Sequence, residues 1–274
     1  MTDLDLLEAR LQADANMVLD RTGAHKRYVV FDIEYLYDRE GQRRADRHAA
    51  DPRGTVSNDN GVGKSEVGWP FHRVVCISAM ALSVLPGGTL EIETLETWSR
   101  PELSETEIVR ALGDFAAARS DAIPVTWGGE CKDLPALLAV AMRAGFVLPA
   151  GLSGPHWKHA RLDLCELLKG KAKPVHLNEY AHAQGLPAKL MAPWALGLAA
   201  ERGKWSAIRE HCECDTTVTA MLLVRWLLAT GELRSERAAL DSLVADTVMR
   251  LRPYRPQLLA AIAGFTSGKL EEAA

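Results

Sequence analysis

Four carboxylates and one imidazole have types and spacings that could do chemistry. Asp32 and Glu34 lie two positions apart inside RYVVFDIEYLY (27–37), a run rich in β-branched and aromatic residues. Residues i and i+2 of a strand face the same way, so both acids project together while Phe31, Ile33 and Tyr35 fill the other side. Two carboxylates side by side repel each other and are costly to desolvate. A divalent cation with oxygen ligands would relieve both penalties, as would a wet edge strand. Asp133 follows in TWGGECKDLP, where it is either a helix N-cap or a catalytic group beyond a strand end. Asp215 belongs to the stripe Ile208, His211, Asp215, Val218, Leu222, whose spacings of 3 and 4 put His211 and Asp215 on one inward face. That pair is either functional or a satisfied core His–Asp contact. Arg209, Glu213 and Thr216 are expected on the solvent side. Cys212 and Cys214 flank the pair but point in different directions on a helix, so a zinc site there is disfavoured.

These groups must be positioned by several elements. Residues 1–26 read as an amphipathic helix and linker, and 27–37 as the first strand. Residues 38–72 lack apolar periodicity, are rich in glycine, and carry Arg39, Arg43, Arg44, Arg47 and Arg53. They read as a mobile basic loop or a disordered stretch. Two strands, 73–84 and 89–99, are joined by the hairpin signal Pro86-Gly87-Gly88. Ser104 and Glu107 form a capping box before a helix that aligns Ile108, Leu112 and Phe115. A strand at 122–127, a helix near 134–145 and a short strand near 159–164 follow. Helices are then expected at 176–185, 193–203, 205–231 and 236–263, with Pro253 and Pro256 breaking or bending the last. The pattern predicts an α/β fold with a mixed sheet and a C-terminal helical extension, 232–274.

Composition narrows the class of protein. The 274 residues are 47% hydrophobic and 25% charged, which excludes a largely disordered chain. No run of about 18 apolar residues would cross a membrane. The acidic, amphipathic start lacks the features of a secretory signal, which points to the cytoplasm. A net charge of -4 argues against a polycation that coats nucleic acid. Five cysteines without a CxxC pair suggest neither a disulfide framework nor a zinc ribbon.

The ordered acids, with FDIE (31–34), TWGGECKDLPAL (126–137) and HCECDTTVTAMLLVR (211–225), resemble the DEDD superfamily of 3′–5′ exonucleases. The stretch FHRVVCISAMAL (71–82) looks like the second strand of one subgroup, the predicted exonucleases related to the proofreading domain of family B DNA polymerases. The resemblance covers about residues 27–230. It implies a ribonuclease H-like mixed sheet flanked by helices. It also implies two Mg²⁺ or Mn²⁺ ions among Asp32, Glu34, Asp133 and Asp215. In the tyrosine branch of the superfamily a Tyr stands four positions before the last Asp, where this chain has His211. Histidine can equally orient or deprotonate the attacking water near neutral pH.

The implied activity is release of nucleoside 5′-monophosphates from 3′ ends, with single-stranded DNA favoured over RNA. Short RNA as substrate, or a degenerate site that only binds nucleic acid, are the alternatives. Four carboxylates would bind cations, and the cations an anionic backbone that the bare acids would repel. Substrate contacts are expected at Trp127, Gly128, Gly129 and His159. The basic runs 39–53 and 156–173 could hold the strand, and Trp127 and Trp157 could stack on bases. Oligomeric state is not readable from the sequence.

Overall fold

A computed structural model of the chain describes residues 25–49, 69–155, 159–187, 190–192 and 195–266. The expected N-terminal helix falls outside these residues, as do Trp157 and the stretch 50–68. Strands β1 (Lys26–Tyr37), β2 (His72–Leu85), β3 (Thr89–Ser99), β4 (Ile123–Thr126) and β5 (Leu162–Asp163) form one sheet in the order β3-β2-β1-β4-β5. The first three are antiparallel neighbours, and β4 and β5 run parallel to β1 and to each other. The mixed sheet read from the sequence is therefore present.

Alternation along β1 sends its residues into two separate cores. Val29, Phe31 and Ile33 pack with helices α2 (Glu105–Ala117), α3 (Asp133–Ala144) and the short α4 (Ala150–Ser153). Tyr28 and Val30 face the opposite layer, where Val218, Met221 and Leu222 come from α8 (Trp205–Ala229). Between β5 and α8 lie the short helices α5 (Leu164–Lys169), α6 (Leu177–Ala183) and α7 (Ala195–Glu201). The result is a sheet sandwiched between helical layers. Asp32 and Glu34 share the parity of Tyr28 and Val30, so they point toward α8. Ser104 forms the expected capping box, accepting from the Glu107 N–H while Glu107 accepts from the Ser104 N–H.

One prediction fails at residues 39–49. Where a loop is expected, α1 (Arg39–Ala49) is helical. Its stability comes from its first turn rather than from an apolar stripe. Asp38 Oδ1 accepts from the Gly41 N–H at 2.6 Å, and Asp38 is itself held by Arg73 at 2.9 Å. The helix N–H and Arg73 together push the Asp38 carboxyl below its usual range. A Glu40–Arg44 pair at 3.4 Å adds i,i+4 support.

A second correction concerns α8. Glu213 and Thr216 are not on a solvent face; both are 0% exposed. Thr216 is turned to the sheet, its hydroxyl donating to the Ser78 carbonyl on β2 at 3.2 Å. The last helices, α9 (Arg237–Leu251) and α10 (Pro256–Thr266), are separated by the segment holding Pro253 and pack against α8. Leu240, Val244, Val248, Leu258 and Ile262 join the same apolar cluster as Tyr28 and Val30. Glu213 accepts from Arg252 at 3.1 Å, Arg255 at 3.0 Å and the Thr97 hydroxyl at 2.8 Å. Glu210 Oε2 accepts from the N–H groups of Gln257 at 2.7 Å and Leu258 at 3.3 Å, capping α10. Arg225 makes a two-pronged contact with Asp241 at 3.1 and 2.8 Å. Among the described residues, no helix is long and apolar enough to cross a membrane.

Removing one member of a buried ion cluster leaves the remaining charges uncompensated. Glu213→Ala should therefore lower the unfolding free energy by about 3 kcal/mol. This would be read as a lower urea midpoint at unchanged slope.

Candidate active site

Glu34 on β1 meets His211 and Asp215 on α8. Nε2 of His211 is 3.4 Å from Glu34 Oε1, and its Nδ1 is 4.0 Å from Asp215 Oδ1. One ligand atom from each of these three residues lies within 4.8 Å of the others. A second group, on the same criterion, joins Asp32, Glu34 and Cys212. Glu34 thus belongs to both. The helical spacing that put His211 and Asp215 on one inward face holds: they are each 2% exposed. Cys212 reaches the same cleft because α8 lies close against β1, its thiol donating to the Asp32 carbonyl at 3.4 Å. Burial, then the neighbouring Cys76 thiol and the charges of Asp32 and Glu34, push the Cys212 thiol well above its ordinary pKa. Its sulfur is thereby kept in the neutral form. The charged donors are then oxygen atoms, which suit Mg²⁺ or Mn²⁺ better than a thiophilic metal.

Asp133 is in neither group. Of its two sequence readings the N-cap does not hold, because the N-cap of α3 is Lys132 and Asp133 is the first helical residue. Asp133 Oδ1 instead accepts from the Tyr35 hydroxyl at 2.5 Å. Tyr35 is the residue that sequence reasoning missed, having been assigned only to core filling. The pairing of β1 with β2 shifts between Glu34 and Tyr35: Glu34 faces Cys76, Tyr35 faces Val74, and Val75 is left over as a bulge. Tyr35 therefore stands where the ladder is re-aimed, beside the acids. Burial first, then the negative charge of Asp133 and its hydrogen bond, raise the Tyr35 phenol well above the usual tyrosine range. Its proton stays in place to hold Asp133.

The loop between β4 and α3 is fixed by Asp163. That carboxylate accepts from the N–H groups of Gly128 at 2.8 Å, Glu130 at 3.2 Å and Glu166 at 3.2 Å. Gly128 has φ +73°, and a Cβ at Gly129 would collide with the Thr126 side chain. Turn geometry alone thus accounts for both glycines. Trp127 is anchored by its indole N–H to the Val175 carbonyl at 3.1 Å and packs on Tyr180 at 5.0 Å. His159 is not brought to the acids: it lines another hollow with Val29, Pro124 and Gly151.

A mixed sheet between helical layers, with acids on its first strand and on a long packed helix, is the ribonuclease H-like α/β arrangement. A family model matches residues 67–259, and the chain belongs to that family, described as "Predicted 3'-5' exonuclease related to the exonuclease domain of PolB". The matched stretch contains Asp133, His211 and Asp215, begins after Asp32 and Glu34, and runs into α10. No curated protein matches the chain. Among solved structures, the family B DNA polymerase from the hyperthermophilic archaeon Pyrobaculum calidifontis is similar at 15% identity and a TM-score of 0.47. The similarity covers 88% of this chain and 28% of the polymerase chain.

The raised Tyr35 pKa has a definite sign. Its contribution to stability is present below the ordinary tyrosine value of about 10 and is lost as pH climbs from there toward the folded value. The stability difference between the native chain and Tyr35→Phe should shrink above about pH 10, as urea unfolding across that range would report.

Proposed function

We propose that the chain is a divalent-metal-dependent 3′–5′ exonuclease acting on single-stranded DNA. The observation that carries this reading is the convergence of Glu34, His211 and Asp215, with Asp32 joined through Glu34, within the span of one cation's ligands. The donor set fits Mg²⁺ or Mn²⁺. Asp32, Glu34 and Asp215 would hold the metal, and Asp133 would join from its place on Tyr35. Bound there, the metal supplies positive charge that lets a phosphodiester approach a negative site and offsets charge developing on its oxygens.

The chain's own groups do the rest. A neutral His211 takes the proton of the attacking water at one ring nitrogen. The cationic ring that results lies between Glu34 and Asp215, 3.4 and 4.0 Å away, where it is stabilised. The water oxygen bonds to phosphorus, the bond from phosphorus to the 3′ oxygen breaks, and that oxygen receives a proton. The terminal nucleotide leaves as a nucleoside 5′-monophosphate. Tyr35 keeps Asp133 oriented, and Asp163 keeps the adjoining loop in place.

A strand labelled at its 5′ end should shorten stepwise with Mn²⁺ or Mg²⁺, and chelation should stop it. Asp32→Asn should abolish the shortening; full activity in that variant would remove the assignment. His211→Ala should slow turnover by about 10²–10⁴-fold while metal-induced thermal stabilisation persists. Matched DNA and RNA oligomers assayed in parallel decide the sugar preference. Strand binding without any metal-dependent cleavage would favour a binding module instead.

A further inference from the structure

A second hollow adjoins the acidic cleft and is charged the other way. It has a volume of about 670 Å³ and is lined by Arg39, Arg73 and Arg100 together with Tyr37 and Trp205. Tyr35 also lines it, and Tyr35 is the residue bonded to Asp133. Tyr35 therefore connects the hollow to Asp133, and it follows Glu34 directly along β1.

Each arginine is placed by a feature of the fold. Arg39 begins α1, and its guanidinium carbon lies 6.0 Å from the Tyr37 ring centre. Arg73 is steadied by Asp38 at 2.9 Å. Arg100 sits opposite the bulge, its N–H donating to the Val75 carbonyl at 2.9 Å. Asp38 and Glu201 also line the hollow, but Asp38 is committed to Arg73 and to the Gly41 N–H. Among the described residues, neither Arg39 nor Arg100 forms an ion pair with a carboxylate. Exposed Arg43, Arg44 and Arg47 extend the basic surface along α1. Tyr37 is 48% exposed, its ring packing against His72 at 4.9 Å. Guanidinium groups suit phosphates, and open aromatic faces suit bases of any sequence.

We infer that this hollow binds a single-stranded nucleic acid through its phosphates and bases, holding the nucleotides that lead to the 3′ end in the acidic cleft. The inference rests on the exonuclease reading and adds to it the surface that grips the strand. It explains how a chain with net charge -4 retains an anionic polymer. A free nucleoside phosphate offers the same chemistry, so the test separates the two sources.

The experiment uses the full chain and a fluorescein-labelled oligothymidylate in a chelator, followed by anisotropy across a salt series. Arg39→Ala/Arg100→Ala should raise Kd about tenfold or more and flatten the logarithmic salt dependence by roughly 0.7 for each phosphate no longer neutralised. Arg250→Ala, which removes an exposed charge on α9, should leave both unchanged. With metal present, the double variant should lose efficiency on the oligomer through KM. Its loss on the p-nitrophenyl ester of thymidine 5′-monophosphate, which has no preceding nucleotides, should be at least fivefold smaller. Circular-dichroism melting, and Arg39→Ala alone, guard against misfolding. Unchanged Kd and salt slope, or equal losses on both substrates, overturn the inference. So does a variant that loses thymidine monophosphate binding but keeps the strand. Should the native chain cleave neither substrate yet bind the oligomer in an arginine-dependent way, the exonuclease reading falls and the strand-binding surface stands.

Discussion

The structure is organised around mutual repulsion. Carboxylates on β1 and α8 are pressed together in a place of low solvent access, and nothing in their own chemistry favours it. The apolar packing beneath them does. Tyr28 and Val30 continue the face that carries Asp32 and Glu34, and Val218, Met221 and Leu222 continue the face that carries Asp215. Burying those side chains is worth roughly 1.5–3 kcal/mol each, enough to hold like charges at close quarters. On the proposed function, a cation bound there would relieve this repulsion, and metal binding would then be coupled to stability.

Periodicity made much of this arrangement legible. The alternation along β1 separated its acids from Phe31 and Ile33, and the 3–4 spacing of α8 turned His211 and Asp215 inward. Both signals are local, because one element alone determines them. What escaped was non-local. Helix α1 has no apolar stripe, and its cap depends on Asp38 being held by Arg73, which is 35 residues away. Glu213 looks solvent-facing until the segment between the last two helices supplies Arg252 and Arg255, and Thr216 until β2 meets it through the Ser78 carbonyl. The bond between Tyr35 and Asp133 spans 98 residues and depends on a bulge, which no alternation pattern announces.

The glycine pair and the two aromatic and histidine candidates teach a related lesson. Gly128 and Gly129 draw the eye as places where a ligand could approach the backbone, yet a left-handed turn and a close Thr126 already require them. Trp127 is tied to Val175 and Tyr180, and His159 lies with a different group of residues. Asp163, by contrast, holds three backbone N–H groups and so shapes the loop that ends at Asp133. Positioning roles of this kind are decided by partners, which residue type and spacing do not reveal.

Helix α8 is gripped on more than one side. Toward β1 it offers His211 and Asp215; Glu210 caps the final helix, and Glu213 joins Thr97 on β3 to Arg252 and Arg255 between the last two helices. A rod pinned this way cannot roll about its long axis. The azimuth of the imidazole is therefore set partly by residues beyond 250. Shortening the chain there would release a torsional brake, and the bearing of its key side chains would be the first thing to drift.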